Sequence, residues 1–543
     1  MNAGPATESF SPETVASIAR ARQHGVGDLP RRTALRFPDK LALVAEGRRV
    51  SFAAFDAAIN RCANALATRG LAKGDRLALL SHNCWAFAVL AFATARLGIV
   101  LVPINFMLGA EEIAFILRHS GARGMVSEDG LARTADKAMV SAGLRDGLRG
   151  WIGLSGMAPA AGWEDVDGWI TDGDAAPVQD LIADDDPVRL MYTSGTESRP
   201  KGVMLSSRSL ISQYVSCAID GGMAADDIEL HALPLYHCAQ LDCFLSVDIY
   251  LGATSVILPA PDPAAILATI EREKVSKLFC PPTVWISLLR HPDFSTRDLS
   301  SLRKGYYGAS PMPVEVLHEL RHALPDVQLW NFYGQTEMAP LATILRPHEQ
   351  LSHAGSAGRA SLNVETRVVD EHNNELGPGE VGEIVHRSPH ASLGYFRDES
   401  KTAAAFLDGW FHSGDLGVID ENGYLTVVDR KKDMIKTGGE NVASREVEEA
   451  LYLLDGVAET AVFGISHPRW IEAVVAVIVL RPGAALSTED VYAHVRAALA
   501  GYKRPKYVVF TDSLPKNPSG KILKKELRIQ YSGLADSDKN IDI

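Results

Sequence analysis

Cysteine is scarce in this chain, at six among 543 residues, and no C-x-x-C spacing occurs. Cys62, Cys84, Cys217, Cys238, Cys243 and Cys280 sit mostly in apolar surroundings. That excludes a disulfide framework and predicts reduced, buried thiols in a cytosolic protein. His237-Cys238 with Cys243 nearby is a grouping that invites a metal ion, but packing in the core outweighs it. Basic residues are in deficit, 54 Lys and Arg against 67 Asp and Glu, for a net charge of −13. Spread along the chain, this balance argues against nucleic acid as the main partner, and an anionic ligand needs local basic sites. No apolar run is long enough to span a membrane: the best, residues 85–103, is broken by Arg96 and Gly98. It reads instead as a buried helix to Leu97, stopped by Gly98, and a strand over 99–102. The first residues are polar and lack the apolar core of a secretory signal. No integral membrane contact and a cytoplasmic location are therefore expected, and no solenoid-length repeat or low-complexity tract appears.

What is present is a long chain of ordinary composition, 46% apolar and 22% charged, which exceeds what one core usually supports. Ser51 caps a helix with apolar residues Phe55, Ile59, Cys62 and Leu66 at helical spacing, ended by Gly70. Short apolar runs at 76–80, 99–102, 124–126, 229–233, 253–258 and 277–280 alternate with helices such as 263–274. This rhythm predicts an α/β fold with parallel sheets covered on both faces. After about residue 361, runs at 366–369, 382–385 and 424–428 between Gly/Pro/Asn turns read as antiparallel strands of a small barrel-like subdomain. A basic stretch, 430–432, then separates a compact α+β pattern: helix 444–454, strands 461–465 and 473–480, helix 488–499, strand 507–510. The expected division is 1–429, a hinge at 430–432 and a mobile lid over 433–543, with residues 1–12 and the tail from about 532 disordered.

The stretch that organises the rest is Met-Tyr-Thr-Ser-Gly-Thr-Glu-Ser-Arg-Pro-Lys-Gly, residues 191–202. An apolar strand runs into a hydroxyl- and glycine-rich loop ending in Lys201, which is what a polyphosphate needs at close range. Pro200 and the residue after Lys201 break the Walker pattern. Further on come Gly308-Ala309-Ser310, then Asn331-Phe332-Tyr333-Gly334-Gln335-Thr336-Glu337, then Gly414-Asp415-Leu416-Gly417. The last two are Lys436-Thr437-Gly438-Gly439-Glu440 and Pro518-Ser519-Gly520-Lys521. In order and spacing, over roughly residues 30–528, these resemble the adenylate-forming superfamily of acyl-CoA synthetases, peptide-synthetase adenylation domains and luciferases. The nearest resemblance is to fatty-acyl-CoA synthetases.

The resemblance implies ATP, Mg²⁺ and coenzyme A as cofactors, with Thr193, Ser194, Gly195, Thr196 and Lys201 around the phosphates. It implies Gly308, Ala309, Ser310, Asn331, Tyr333, Gly334 and Gln335 beside the adenine, and Thr336 at the α-phosphate. Thr196 and Glu337 are the implied metal ligands, an assignment that suits hard oxygens and a hard cation. Asp415, assisted by Arg430, matches the acid that takes the ribose hydroxyls. Lys521 matches the lysine that bridges carboxylate and α-phosphate during adenylation, where negative charge accumulates. Lys432 matches the hinge, and Lys436, Gly438, Gly439 and Glu440 match the thioester-forming face of the lid. His237 resembles a histidine where the acyl and pantetheine channels meet, with a speculative part as general base. Glu197-Ser198 departs from the usual Thr-Gly. A carboxylate about 4 Å from a phosphate charge costs on the order of 4 kcal/mol at an effective dielectric near 20, so Glu197 is expected to point away or share the metal.

For the acid, residues 231–237, 280–285, 306–310 and 333–338 carry no Arg or Lys for a second carboxylate, which argues against malonate. Asp242 is the only nearby acid for an amino-acid ammonium. In the family, the residue before Gln-Thr-Glu faces the acyl pocket and is tryptophan in acetate-activating members. Gly334 here implies a medium- or long-chain fatty acid. An aryl-propenoate CoA ligase and a stand-alone carrier-protein-loading enzyme are the alternatives. The expected partners are thus the carboxylic acid, ATP and CoA, with a homodimer left open.

Overall fold

The computed structural model describes residues 10–178, 182–193, 200–308, 310, 312–431, 433–438, 440–517 and 520–537. The chain divides into two compact units, each assembled from separate stretches. The first holds Met1–Phe279, Gln335–Leu341 and Ser388–Ala403; the second holds Cys280–Gly334, Ala342–Arg387 and Ala404–Ile543.

The first unit carries a seven-stranded sheet, in the order Glu164–Asp165, Leu148–Ile152, Gly124–Glu128, Arg76–Leu80, Val100–Pro103, Pro187–Thr193, Lys201–Ser206. Its pairs are parallel until the last, where Pro187–Thr193 and Lys201–Ser206 run antiparallel with Thr193 opposite Lys201. The phosphate stretch is therefore a hairpin whose two arms are sheet strands. A second set of parallel strands joins Lys277–Phe279, Ile228–His231, Thr254–Ile257 and Leu41–Ala45. The run that looked nearest to a membrane span is the helix Trp85–Leu97, buried on every side and closed by Gly98 at φ 68°. Arg96 survives there because each nitrogen is used: Nε on Gly27 O, Nη1 on Asn60 and Nη2 on Asp56, at 2.6–2.9 Å. No helix among the described residues is long and apolar enough to cross a membrane.

In the second unit, strands Lys304–Gly308 and Gln328–Gly334 lie parallel and end side by side, Gly308 opposite Phe332. A five-stranded antiparallel sheet follows, built on Glu365–Val369, Gly382–Arg387, Trp410–Ile419 and Leu425–Arg430 with the short Phe406–Leu407. The C-terminal α+β segment pairs Val457–His467 with Ile471–Leu480 antiparallel, and adds Tyr507–Phe510 parallel to the latter. Helices Ser444–Tyr452 and Thr488–Ala498 cover one face of it through Val447, Leu451, Val491 and Val495.

Among the described residues, the tail is more ordered than expected. Ser11 caps a helix over Pro12–Arg22, and the tail continues as a 3-10 helix over Ser532–Ser537, with Leu534 and Ala535 packed on the C-terminal core. Two apolar residues in a polar tail were enough to dock it.

All six cysteines are buried and unbridged. Among the described residues, the one cluster with metal-like spacing is elsewhere, at Glu229, His231 and Asp248. Its cation is already supplied. Lys277 Nζ lies 2.8 Å from Glu229 Oε2 and contacts Asp248 Oδ1, while His231 Nε2 sits 3.2 Å from Asp248 Oδ2. Burial alone would raise the Asp248 carboxyl, but the Lys277 ammonium and His231 pull it down to about 2.

Candidate active site

Gly308, Asn331, Tyr333, Asp415 and Arg430, the residues expected at the base and ribose, lie in the second unit, the first three at the carboxyl ends of two parallel strands, the usual place for a ligand in an open α/β sheet. Gly308 ends one strand. A Cβ there would stand 2.4 Å from Phe332 O, so only glycine lets the strands approach. Asn331 Nδ2 donates to Ser356 O at 3.0 Å, fixing the start of the aromatic loop. The Tyr333 hydroxyl donates to Asp415 Oδ2 at 2.7 Å, and Arg430 Nε lies 3.2 Å from Asp415 Oδ1. Asp415 is held in place by its own N–H, which donates to Ser413 Oγ at 3.0 Å. Burial, and then the Asp415 charge, pushes the Tyr333 phenol well above its ordinary value, so it stays a donor. A carboxylate fixed by a phenol and a guanidinium next to an aromatic face suits a ribose diol and its base.

Of the residues expected at the phosphates and the metal, the described ones, Thr193, Lys201, Thr336 and Glu337, lie in the first unit. Thr193 and Lys201 face each other across the hairpin, and Lys201 Nζ lies 5.1 Å from the centre of the Tyr395 ring. Glu337 is buried and accepts from the Tyr395 hydroxyl at 2.8 Å. Thr336 Oγ1 lies 3.3 Å from Cys238 Sγ, and Gln335 opens the short turn that carries Thr336 and Glu337. A buried hard carboxylate, a hydroxyl and an ammonium fit a magnesium-bound polyphosphate. Ser194, Gly195, Thr196, Glu197, Ser198, Ala309, Lys432 and Gly439 fall outside the described residues, so the proposed metal role of Thr196 has no geometry here; Ser310 is described and half-buried.

His237 has a local job: its Nδ1 accepts from the Ala239 N–H at 3.2 Å and caps the helix Cys238–Gln240.

Lys436 and Lys521 occupy different turns. Lys436 lies in the hairpin Ile435–Thr437 and Glu440–Val442, its N–H donating to Glu472 Oε2 at 2.7 Å, with Gly438 at φ 61° closing the turn. Glu440 is exposed on the returning arm. Lys521 sits in a tight loop where Asn517 N–H donates to Lys521 O at 2.9 Å and Lys521 N–H to Asn517 Oδ1 at 2.8 Å. That loop is seated on the helix Pro282–Arg290: Thr283 Oγ1 donates to Gly520 O at 3.1 Å. Gly520 has φ +77°, and a Cβ on it would lie 2.5 Å from Thr283 Oγ1. A left-handed residue with a side chain costs roughly 1–2 kcal/mol before any clash. Gly520→Ala is therefore expected to slow ATP–pyrophosphate exchange about tenfold, and an unchanged exchange rate would show that this seating is irrelevant to the first step.

Three residues escaped the sequence reading. Tyr395 lies in a Gly-Tyr-Phe run with no distinguishing signal. Lys277 looked like an ordinary strand terminus. Arg189 is a charge within a buried strand, which itself signals a buried partner, and the structure supplies one: Asp242, with Nε 3.9 Å from Oδ1 and both side chains wholly buried. Asp242 also accepts from Tyr214 at 2.9 Å.

With this geometry in place, comparisons with known proteins agree. Residues 30–396 match the AMP-binding enzyme family and residues 446–521 its C-terminal domain. A feruloyl-CoA synthase from an Amycolatopsis species is 37% identical over 511 residues, 94% of this chain and 100% of that one. The long-chain-fatty-acid–CoA ligase FadD13 of Mycobacterium tuberculosis is 35% identical over 484 residues, 89% of this chain and 93% of that one. The crystal structure of ATP-bound MatB from Rhodopseudomonas palustris superposes with a TM-score of 0.85 at 30% identity, covering 94% of this chain and 99% of that one. The chain belongs to the AMP-binding enzyme family and is an ATP-dependent acyl-CoA ligase of the adenylate-forming superfamily.

Proposed function

We propose that the protein activates a medium- or long-chain fatty acid in two steps. The carboxylate attacks the α-phosphate of MgATP, giving acyl-adenylate and pyrophosphate; the CoA thiol then displaces AMP and leaves the thioester. Lys201 neutralises the β- and γ-phosphates, and Glu337, with Thr196, would hold the metal, which would offset negative charge on the leaving pyrophosphate. Asp415 and Arg430 orient the ribose, Tyr333 packs the adenine, and Thr336 donates to the α-phosphate. Lys521 delivers an ammonium to the carboxylate and α-phosphate as negative charge builds. A hinge at 430–432, with Lys432 absorbing the rotation, then exchanges that loop for Lys436, Gly438, Gly439 and Glu440, whose glycines let pantetheine pass close to the backbone.

The observation that carries the choice of acid is Gly334, which puts no side chain where acetate-activating members of the family close the pocket. An amino acid is disfavoured because Asp242 is already engaged by Tyr214 and Arg189. A second reading, an aryl-propenoate such as ferulate, is favoured by the 37% identity to feruloyl-CoA synthase. We place the activity in the cytoplasm with free CoA as acceptor. The test is AMP release, dependent on both ATP and CoA, over acetate, butyrate, octanoate, palmitate, cinnamate and ferulate. Octanoate or palmitate as best substrate upholds the first reading, ferulate the second, and transfer only to a carrier protein removes both.

A further inference from the structure

Tyr395 touches both parts of the phosphate site. Its hydroxyl donates to Glu337 Oε1 at 2.8 Å, and its ring lies under the Lys201 ammonium, 5.1 Å from the centroid. The side chain is 8% exposed, and the backbone that carries it is pinned on both sides. Phe396 N–H donates to Gly202 O at 2.8 Å, Leu393 N–H to Met204 O at 2.9 Å, and Met204 N–H to Gly394 O at 3.1 Å. Residues 392–396 thus run as an added edge beside the strand Lys201–Ser206. At the other end, Ser392 N–H donates to Glu337 O at 2.8 Å. Tyr395 N–H is held by Thr402 Oγ1 at 2.9 Å, and a Cβ on Gly394 would stand 2.5 Å from Thr402 Cγ2. One short segment is therefore tied to the strand of the phosphate lysine and to the turn of the metal-binding acid.

The two contacts of the side chain are chemically distinct. A phenol hydroxyl donating to a carboxylate orients it and commits one oxygen, so Oε2 is the oxygen presented to a cation. The ring face attracts an ammonium and restricts where a long flexible lysine spends its time. Beside Lys201 a cavity of about 170 Å³ opens, lined also by Phe115, His119, Tyr395 and Lys401, and it gives the ammonium room to pass between ring and phosphate.

We propose that Tyr395 is a positioning residue that presets Glu337 through its hydroxyl and Lys201 through its ring, coupling the metal to the polyphosphate. The proposal rests on reading Lys201 and Glu337 as the phosphate and metal residues. Two binding measurements separate the contacts: Mn²⁺ titrated by electron paramagnetic resonance into protein saturated with a non-hydrolysable ATP analogue, and metal-free tripolyphosphate titrated by calorimetry. Tyr395→Phe keeps the ring and loses the charge-assisted hydrogen bond; Mn²⁺ affinity should fall about tenfold, with tripolyphosphate affinity within about twofold of wild type. Tyr395→Leu loses both contacts, and tripolyphosphate affinity should then fall as well, by about fivefold. The proposal is overturned if Tyr395→Phe binds Mn²⁺ like wild type, or if it weakens both probes in parallel as a packing defect would. Should Tyr395→Leu fail to fold, the Phe form alone decides. Lys201→Met and Glu337→Gln distinguish the underlying reading: if the first leaves tripolyphosphate binding intact and the second Mn²⁺ binding intact, the phosphate-site assignment falls, and the proposal with it.

Discussion

Lys521→Ala should cut acyl-adenylate formation by about 10²–10³-fold while sparing most of the thioester step from supplied acyl-adenylate. The magnitude is that of removing one preorganised donor from a site where charge develops. The structure anchors the backbone that carries this lysine: the loop closes on itself through Asn517, and Thr283 donates to the carbonyl of Gly520, the residue just before it. In the proposed alternation, substitutions at Lys436 and Gly438 should do the reverse, lowering thioester formation and sparing adenylation. ATP–pyrophosphate exchange measures the first step, and consumption of synthetic acyl-adenylate with CoA measures the second. Exchange near the wild-type rate in Lys521→Ala would sink the assignment of the two turns to two steps.

Gly334→Trp should invert the preference for acid size. With glycine, an acyl chain can extend past the reacting carbon, and each buried methylene contributes roughly 0.8 kcal/mol, so six add about 5 kcal/mol. That difference makes octanoate better than acetate by more than a thousandfold if the whole chain is buried. An indole at this position removes the space, leaving acetate as the acid that fits. The comparison is kcat/KM for acetate, butyrate, octanoate and palmitate with both forms. Wild-type preference for acetate, or a tryptophan form that still prefers octanoate, would show that the acyl chain does not run past Gly334. The strand Gln328–Gly334 ends at this residue.

Much of the fold was legible because local and global signals coincide. The alternation of short apolar runs with amphipathic helices located Arg76–Leu80 and Tyr507–Phe510 to the residue, and Ser51 and Gly98 cap the helices they were expected to cap. The candidate site residues were picked out from glycine-containing motifs rather than from periodicity, and the structure sets Lys201, Tyr333 and Asp415 on strands and Lys521 in a loop. What stayed hidden was pairing across the chain. Nothing near Arg189 names Asp242, Glu337 does not announce Tyr395, and a lysine at 277 gives no hint of two acids 29 and 48 residues upstream. Such contacts are decided by which elements the topology brings together, and single-sequence periodicity carries no such information. The tail over Ser532–Ser537 was missed because its polarity hid two apolar contacts.

The buried cluster at Lys277 also bears on how a family like this one diversifies. Its members sit on three elements, the strand Ile228–His231, the helix Ser246–Leu251 and the strand Lys277–Phe279. Removing one partner of a buried ion pair costs about 3–5 kcal/mol, a large part of a typical domain's stability, whereas exchanging the whole set for apolar residues can be neutral. A lineage moving one substitution at a time must therefore cross an unstable intermediate to alter either charge of the Lys277–Asp248 pair. The strand so frozen, Lys277–Phe279, is the one that leads into residues 280–285. Mutational drift should accumulate in those residues and leave the strand before them alone, so a population of descendants could change acids repeatedly on an inherited footing.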